Sequence, residues 1–331
     1  MAPQHSPRIF SGIQPSGGLT LGNYLGALKR FAEKQGEVET VFCLVDLHAI
    51  TVWQEPERLR QQTREAAAAF MAAGIDPARS VLFVQSHVPA HAELGWMLSC
   101  VARVGWMNRM TQFKSKAEKV ETTGVGLYSY PILQAADILL YHTDLVPVGE
   151  DQRQHIEITQ DIAQRFGHLF GYEFTRPEML ARAEGARIMG LDDPTAKMSK
   201  SSTAKGHAVS ILDEPAAILK TFKSAKTDSG TGVDIAQPLS PGVVNLMTIY
   251  SAFTGEPREA VERHFDGGGY GKLKVETAEA VIAGLTPVRE RFHAIRGDEA
   301  GLEAVLARSA EAARERAEAT MVAVRKAVGV R

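Results

Sequence analysis

The sequence predicts an α/β fold, with a doubly wound parallel sheet in the first half and an all-α unit after it. Apolar, β-branched segments alternate with helical patterns up to about Glu173, which is typical of parallel sheets covered by helices on both faces. Beyond that point the strand signals fade and helical periodicity dominates. The 331 residues, 44% of them hydrophobic, suffice for a sizeable core and two structural units.

Four strands are predicted in the first half, because four short segments are apolar and rich in β-branched residues. They are Arg8–Ile13, Thr40–Val45, Ser80–Gln85 and Asp144–Val148. Helical periodicity fills the intervals at Asn23–Lys34, Glu57–Ala73, Ala92–Arg109, Pro131–Tyr141 and His155–Phe170. In such sheets ligands bind at the carboxyl ends of the strands, near the point where strand order reverses.

The second half is predicted to be helical. Pro194, the Ser/Thr/Lys-rich stretch 197–206 and the Gly/Pro-rich stretch 228–242 indicate loops. Helices are predicted at Glu214–Ser224, Pro241–Phe253, Glu256–His264, Lys274–Ile295 and from about Asp298 onward. The last helix carries an apolar stripe that must pack on either the helical unit or the α/β unit. The stripe consists of Leu302, Val305, Leu306, Ala313, Ala317, Met321 and Val324.

Composition argues against several classes of protein. No apolar run approaches the roughly 18 residues of a membrane span, and residues 1–10 contain no apolar signal region. Cys43 and Cys100 each lie alone within an apolar segment, so we expect two buried thiols. No CxxC motif or His/Cys cluster offers a metal or iron–sulfur site. We therefore expect a soluble, cytoplasmic protein without a protein-bound metal.

The net charge of −2 argues against nonspecific coating of nucleic acid, but it leaves room for a local basic surface. Five basic residues fall within seventeen positions and are opposed there only by Glu118. They are Arg103, Arg109, Lys114, Lys116 and Lys119. Composition alone favours an ordinary solvated face for this stretch.

The first candidate site lies between the first predicted strand and the first helix, from Gly12 to Tyr24. Gly22 has no Cβ, so a flat or charged ligand could approach the backbone, and the following helix presents N–H groups that suit phosphate. Thr20 and Asn23 flank Gly22, so both polar side chains could point at one ligand. The alternative is a capped turn with Thr20 as N-cap, and for this loop alone the alternative is favoured.

The second candidate site is the KMSKS segment, residues 197–201. Lys197 and Lys200 are three residues apart with a hydroxyl between them, in a polar loop. Two such lysines could clamp a polyphosphate whose charge shifts during a reaction, and such a loop could close on ATP. Taken alone, a lysine-rich loop is usually only solvated.

Together, the two segments resemble the signature pair of the class I aminoacyl-tRNA synthetases. That class usually has two histidines in the first motif, and Thr20 and Asn23 stand in their places here. The form from Gly12 to Ala27 resembles the tryptophanyl branch of the class. Further segments that match this branch are 45–51, 110–116, and 130–141 with its continuation through 146–155.

Asp137 carries the prediction of the substrate, because it is the only charge between Tyr130 and Tyr141 in a largely apolar helix. A buried carboxylate needs a partner. Indole has a single N–H, which only donates, and an ionised carboxylate only accepts. Tryptophan would therefore fit, and phenylalanine would leave the acid unpaired. The alternative, equally weighted without the surrounding motif, is a structural pair with an arginine such as Arg153.

The resemblance implies roles for residues at matching positions. Asp137 would accept the indole N–H, the tryptophan pocket would be lined by Phe10, His48 and Gln134, and the amino group would be held by Tyr130 and Gln152. The implied catalytic residues are Thr20, Asn23, Lys116, Lys197 and Lys200, the three lysines holding phosphates. The implied ATP site comprises Gln14, Pro15, Ser16, Gly22, Asn23, Gly149, Glu150, Asp151, Ile188, Lys197, Met198, Ser199, Lys200 and Ser201.

Two positions depart from the pattern of the branch. Gln134 stands where methionine is frequent in relatives, which changes the character of the pocket wall. Residues 202–205 replace an acidic continuation of the KMSKS loop, which bears on how that loop closes.

The resemblance also implies an architecture and a reaction. A Rossmann-like catalytic domain would span residues 1–195, the KMSKS loop 196–206, a helical anticodon-binding domain 207–295 and a C-terminal helix 296–331. The reaction would convert L-tryptophan and ATP, with Mg²⁺, to tryptophanyl-adenylate and pyrophosphate, followed by transfer to tRNA(Trp). A homodimer is implied as well.

Three other functions remain open. They are a tyrosyl-tRNA synthetase of similar fold, an adenylyltransferase without a tRNA, and a paralogue that has lost charging and senses tryptophan or binds a partner. The KMSKS segment and the long helical remainder argue against the second, and intact Asn23, Lys197 and Lys200 against the third. His87 and His91 are four apart, but Pro89 lies between them, so we predict no zinc site there.

Overall fold

The computed structural model describes residues 7–15, 18–110, 124–180, 187–199 and 204–330. Within these ranges a parallel sheet has the strand order β3-β2-β1-β4-β5. The strands are β1 (Arg8–Ile13), β2 (Glu39–Leu44), β3 (Val81–Val84), β4 (Leu145–Val146) and β5 (Glu178–Met179). Strand order reverses between β1 and β4, so the predicted doubly wound α/β fold is confirmed.

Helices alternate with the strands in this half of the chain. They are α1 (Leu21–Asn23), α2 (Lys29–Glu33), α3 (Asp46–Ala49), α4 (Pro56–Ala72), α5 (Ala90–Ser99), α6 (Val104–Met107), α7 (Val125–Leu139) and α8 (Arg153–Phe170). A π-helix, Tyr24–Leu28, joins α1 to α2, and 3₁₀ turns occupy Gln85–His87 and Glu150–Gln152.

The sheet is buried on both faces, which explains the continuous apolar run of β2. Phe42 and Leu44 belong to one core cluster, while Val41 and Cys43 belong to the cluster on the other face. Burial raises the pKa of the Cys43 thiol well above its ordinary value, so this thiol is inert. The prediction that Cys100 is buried was wrong: it follows the C-terminal end of α5 and is exposed.

The second half is helical, with α9 (Pro215–Lys223), α10 (Pro241–Thr254), α11 (Arg258–Phe265), α12 (Tyr270–Gly297) and α13 (Glu299–Val328). The long α12 contacts α9 and α10, and it also packs against α4 of the first half. Its Arg291 donates to the carbonyl of Ala72 at 2.9 Å. One core cluster therefore runs from the sheet into the helical part without a break. No described helix has both the length and the hydropathy to span a bilayer.

The apolar stripe of α13 packs mainly on the α/β unit. Leu302 and Leu306 join the cluster shared with the helical part, whereas Ala313, Ala317 and Met321 join the cluster on the other face of the sheet. The helix contacts the edge strand β3 and α5. A hydrogen bond and a salt bridge support this contact. The Thr320 hydroxyl donates to the carbonyl of Leu140 at 2.8 Å, and Arg325 pairs with Glu93 at 2.7 Å.

Several elements of the structure differ from the prediction. Strand β5 was not predicted, because its two residues are exposed and half-buried and so leave no apolar signal. The single helix predicted at Ala92–Arg109 is two helices, since Arg103 adopts an extended backbone at φ −93° and ψ 135°. The helix predicted from Asn23 begins at Leu21 and is interrupted by the π-helix.

Candidate active site

A cavity of about 300 Å³ opens at the switch point of the sheet, beyond the carboxyl ends of β1 and β4. Its walls come from β1, the start of α3, α7 and the segment after β4. The lining residues are Phe10, Gly12, Gln14, Val45, His48, Tyr130, Gln134, Asp137, Ile138, Val146, Val148 and Gln152. All six residues predicted to bind the amino acid thus line one cavity.

Asp137 lies on α7 at the cavity wall and is only 1% exposed. Its Oδ1 accepts hydrogen bonds from Gln85 Nε2 and His91 Nδ1, both at 2.6 Å. Its Oδ2 pairs with Nε2 of His48 at 2.7 Å. The buried carboxylate is therefore held by three side chains from three different segments.

The charge of Asp137 is stabilised by these partners. Burial alone would raise the pKa of this carboxyl, but the two histidines and their hydrogen bonds outweigh burial and hold the pKa well below its ordinary value. Asp137 is thus ionised at neutral pH and acts only as an acceptor. The arginine pair considered as an alternative was wrong, because Arg153 pairs with Glu150, with one contact at 2.8 Å.

Tyr130 and Gln134 stand on α7 one turn apart and face the same cavity as Asp137. The Tyr130 hydroxyl and His155 Nε2 are 2.8 Å apart. Burial raises the pKa of Tyr130 to about 12, so its hydroxyl stays neutral at working pH. Gln134 adds a further polar side chain to a wall that already contains Tyr130 and Asp137.

Thr20 forms the N-cap of α1, as the alternative for this segment predicted. Its Oγ1 accepts the backbone N–H of Asn23 at 3.2 Å, and the Asn23 side chain accepts from Thr20 in return. The two side chains thus bond each other while Asn23 remains exposed. This reciprocal pair fixes the geometry of the turn that carries Gly22.

Gly22 brings the two signature segments into contact. A Cβ on Gly22 would lie 3.3 Å from Cβ of Met198, in the KMSKS segment. Backbone hydrogen bonds hold the same region, from Leu21 N–H to Val209 at 2.8 Å and from Ile211 N–H to Leu19 at 3.0 Å. The space in front of Gly22, which we expected a ligand to use, is occupied here by Met198.

The KMSKS segment begins as one arm of a short antiparallel hairpin, in which Met189 pairs with Lys197. Asn245 of α10 secures this hairpin, because its amide accepts from Met189 N–H at 2.9 Å and donates to Met189 C=O at 3.0 Å. His207 secures the other arm: Nε2 lies 3.1 Å from the Lys197 carbonyl and Nδ1 2.6 Å from Asp192. A side chain on Gly190 would collide with the ring of His207.

A second cavity, of about 280 Å³, adjoins the first signature segment. Gln14, Pro15, Gly22 and Asn23 line it, and the rest of its wall is mostly apolar. Gly12 and Gln14 line both cavities, so the two spaces meet at the carboxyl end of β1. An amino acid in one and a nucleotide beside the other would therefore be neighbours.

The remaining residues predicted to bind ATP do not share one environment. A Cβ on Gly149 would lie 2.5 Å from Oδ1 of Asp151, so the exposed Asp151 side chain would have to move to admit it. Glu150, Asp151 and Lys197 are exposed, whereas the side chain of Ile188 is buried in the core and leaves only its backbone for a ligand. Ser16, Lys116, Lys200 and Ser201 lie outside the described residues. In the described part of the chain, no group of three potential ligands is placed to hold a metal ion.

Sequence reasoning missed the residues that support the site from behind. They are Gln85, His91, Tyr141, Asp192, His207 and Asn245. Gln85 and His91 lie 52 and 46 positions from Asp137, so no local spacing connects them to it. The sequence signal that could have identified Gln85 and His91 was a polar residue within an apolar segment.

The sequence-family model of the class I tRNA synthetases for tryptophan and tyrosine (W and Y) matches residues 2–286 of the chain. The chain belongs to this family. The synthetase is thus an aminoacyl-tRNA ligase, with the Rossmann-like catalytic fold and helical second part of class I.

Individual relatives resemble the synthetase over almost its whole length. Tryptophan–tRNA ligase of Wolinella succinogenes is 50% identical over 324 residues, covering 98% of each chain. The corresponding ligase of Listeria monocytogenes serotype 4b is 50% identical over 322 residues, covering 97% of each. The structure of tryptophanyl-tRNA synthetase from Campylobacter jejuni, complexed with ADP and tryptophan, has a TM-score of 0.86 at 35% identity, covering 97% of this chain and 99% of that chain.

Proposed function

We propose that this synthetase is a tryptophan–tRNA ligase, which activates L-tryptophan with ATP and transfers it to tRNA(Trp). The observation that carries the proposal is the ionised Asp137 in the wall of a cavity whose lining also includes apolar residues such as Phe10, Ile138 and Val146. Indole suits such a cavity, because it is flat and apolar and has one N–H that only donates. The relatives that are 50% identical over nearly the whole chain are tryptophan–tRNA ligases, which supports the same substrate.

In the proposed complex, the indole lies among Phe10, His48 and Gln134, with its N–H on Asp137. Tyr130 and Gln152 hold the amino group. This orientation would turn the carboxylate of tryptophan toward Gln14, the residue shared by both cavities. The amino acid then presents its reactive oxygen to the nucleotide side of the site.

In the first step, a carboxylate oxygen of tryptophan attacks the α-phosphorus of ATP. A C–O–P bond forms, the bond to the β-phosphate breaks, and pyrophosphate leaves with the electron pair. Because the nucleophile is already ionised at neutral pH, the protein supplies no base, and rate acceleration comes from positioning and charge stabilisation.

The nucleotide is proposed to lie against the two signature segments. Lys197 is exposed at the end of a secured hairpin, and it would contact the departing phosphates most strongly in the transition state. Lys116 and Lys200 are proposed to share that charge, with Gly149, Glu150 and Asp151 around the nucleoside. Mg²⁺ would come with ATP, and the phosphates would supply most of its ligands.

In the second step, the 2′-hydroxyl of the terminal ribose of tRNA attacks the carbonyl carbon of the adenylate, an ester forms and AMP leaves. The helical part, α9 to α12, is proposed to read the anticodon. Because its core is continuous with that of the sheet, the two parts would present one surface to the tRNA. We place the enzyme in the cytoplasm, where protein synthesis consumes its product.

The proposal is tested by ATP–pyrophosphate exchange with tryptophan and with tyrosine in parallel, followed by charging of tRNA(Trp). Tyrosine is the necessary comparison because its hydroxyl can also donate to a carboxylate. Exchange with tryptophan and charging of tRNA(Trp) would support the proposal. Exchange with tyrosine alone would overturn the substrate, and tryptophan binding without exchange would indicate a paralogue that has lost charging.

We also propose that two copies of the chain form a dimer through an exposed apolar surface. Trp96 on α5, Val104 on α6 and Val125 on α7 are 73%, 69% and 78% exposed. Their helices are neighbours, since both α5 and α6 contact α7. Exposed apolar clusters of this kind are typical of protein–protein interfaces, and a second copy is the partner that the family resemblance implies. We name Trp96, Val104 and Val125 the apolar face.

A further inference from the structure

His91 connects the tryptophan cavity to a buried network behind it. The histidine is fully buried on α5, and both of its ring nitrogens have partners. Nδ1 lies 2.6 Å from Oδ1 of Asp137, and Nε2 lies 2.8 Å from the hydroxyl of Tyr141. The Tyr141 ring stacks on Phe10, a cavity residue, with centroids 5.9 Å apart. The network thus begins and ends at the cavity wall without His91 itself touching the cavity.

The carboxylate of Asp137 determines which role Nδ1 of His91 has in their hydrogen bond. An ionised carboxylate only accepts, so Nδ1 must carry the proton that it donates to Asp137. Burial raises the pKa of Tyr141, so its hydroxyl is a phenol that can donate to Nε2. Both ring nitrogens of His91 are therefore satisfied, with Nδ1 donating to Asp137 and Nε2 bonded to the Tyr141 hydroxyl.

The acceptor capacity of Asp137 is nearly filled. A carboxylate has about four lone-pair positions, two on each oxygen. Gln85 and His91 take both positions on Oδ1, and His48 takes one on Oδ2. Among the described residues no further donor reaches this side chain, so one position on Oδ2 is left open.

The open position faces the cavity. His48, the partner of Oδ2, lines the cavity, whereas Gln85 and His91, the partners of Oδ1, do not. The two oxygens therefore have opposite surroundings: Oδ1 faces the protein and Oδ2 faces the ligand space.

We propose that His91 is a specificity-determining positioning residue: together with Gln85 it fills Oδ1 of Asp137 and so aims the one open acceptor position at the indole N–H. This inference rests on the proposed tryptophan activity and deepens it. Without His91 the carboxylate would lose a donor that holds its orientation, and an uncommitted acceptor would appear away from the ligand. Substrates with an N–H would then lose their advantage over substrates without one.

The test compares tryptophan with its benzothienyl analogue, in which sulfur replaces the indole N–H. The measured quantity is the ratio of kcat/KM for the two substrates in pyrophosphate exchange. The expected result is a fall of about tenfold in this ratio for His91→Leu, the loss of roughly one charge-assisted hydrogen bond. His91→Asn, whose amide can donate from near the Nδ1 position, should restore most of the ratio.

A matched control separates positioning from packing. Cys43→Ala also removes a buried side chain from the same core cluster, and it should reduce stability without changing the ratio. The inference is overturned if His91→Leu lowers kcat/KM for both substrates equally, or if His91→Asn behaves like His91→Leu. Should His91→Leu fail to fold, Gln85→Met provides the same test, since it removes the other donor to Oδ1.

A second measurement on the unmodified enzyme does not depend on folding of a variant. ¹⁵N NMR of histidine-labelled enzyme should place a proton on Nδ1 of His91, and an Nδ1 without a proton would overturn the inference. Failure of the role proposed for His91 can be distinguished from failure of the proposed function. If wild type does not activate tryptophan, the function is wrong; if wild type discriminates and His91→Leu does too, only the role of His91 is wrong.

Discussion

At the scale of single residues, the site depends on a carboxylate whose surroundings are asymmetric. Asp137 is buried and ionised because three side chains donate to it, so the energetic cost of its burial is offset within the protein. A ligand that brings a further donor forms one more hydrogen bond to this carboxylate. A ligand of the same shape without a donor leaves an acceptor position dry and unpaired.

The first prediction concerns Asp137→Asn. The amide presents N–H groups to donors that need an acceptor, so at least one buried donor loses its partner. We expect kcat/KM for tryptophan to fall by about 10²- to 10³-fold in pyrophosphate exchange, in line with the loss of a buried charged hydrogen bond. Asp161→Asn, at an exposed carboxyl on α8, is the control and should leave the rate unchanged. An unaltered kcat/KM in Asp137→Asn would refute the assignment of this pocket.

The second prediction concerns Lys197→Ala. If this lysine stabilises the departing phosphates, its loss should lower kcat by about 10²-fold and change KM for ATP little. Lys205→Ala, an exposed lysine nearby in the chain, is the matched control. Steady-state exchange kinetics with varied ATP separate the two constants. A change confined to KM would contradict the proposed role.

At the scale of elements, the hairpin that begins the KMSKS segment is held by residues far from it in sequence. Asn245 forms two hydrogen bonds to the backbone of Met189 from α10, and His207 bonds the carbonyl of Lys197. The position of Lys197 is therefore determined partly by the helical part of the molecule. A helix that packs against this hairpin is also a support for catalysis.

The third prediction follows from that support. Asn245→Leu removes both hydrogen bonds to Met189, and the hairpin should shift. We expect kcat for exchange to fall about 10- to 100-fold, because small misplacements of a catalytic group are costly. Thr248→Ala, on the same helix with a hydroxyl bonded only within that helix at 2.7 Å, is the control. Reduced thermal stability with an unchanged kcat would show that Asn245 is only structural.

Elements with strong local signals were predictable from the sequence, and those with weak ones were not. The bounds of β1 agree with the prediction, because six consecutive residues carry the pattern and are flanked by Pro7 and the polar Gln14. Strand β5 has two residues and exists only because β4 pairs with it. The capped turn at Thr20 was predictable from local chemistry, whereas the network around Asp137 joins three distant segments through the fold.

The π-helix at Tyr24–Leu28 could not be predicted either. It inserts one residue into a helical turn at the end of the first signature segment, and periodicity over so short a window does not distinguish it from an α-helix. Its effect is to change the direction in which the side chains after Asn23 face. The motif indicated a site, but not this local geometry.

At the scale of the whole molecule, the chain has two core clusters on the two faces of one sheet. The helical part extends one of them, and α13 contributes to both. The apolar face lies outside both clusters, on α5, α6 and α7. The same helix α7 carries Val125 at its first residue and Asp137 near its end. A dimer contact at one end would therefore bear on the amino-acid site at the other.

The fourth prediction tests the dimer. Trp96→Glu places a charge on the apolar face and should convert a dimer to a monomer in sedimentation equilibrium, because an unpaired buried charge is strongly unfavourable at an interface. Leu169→Glu, which adds a charge at an exposed apolar residue on α8, is the control and should remain dimeric. A wild-type monomer, or a dimeric Trp96→Glu, would show that the surface serves another purpose.

The final helix has a consequence for how the molecule is made. The β3 edge and the carbonyl of Leu140 are covered by α13, which the ribosome adds long after both of them. Until then the nascent catalytic half carries an uncovered strand, which invites chaperones, proteases or another chain. Synthesis of α13 is thus a condition for a finished enzyme, and a product terminated before α13 would be marked for removal by its own open edge.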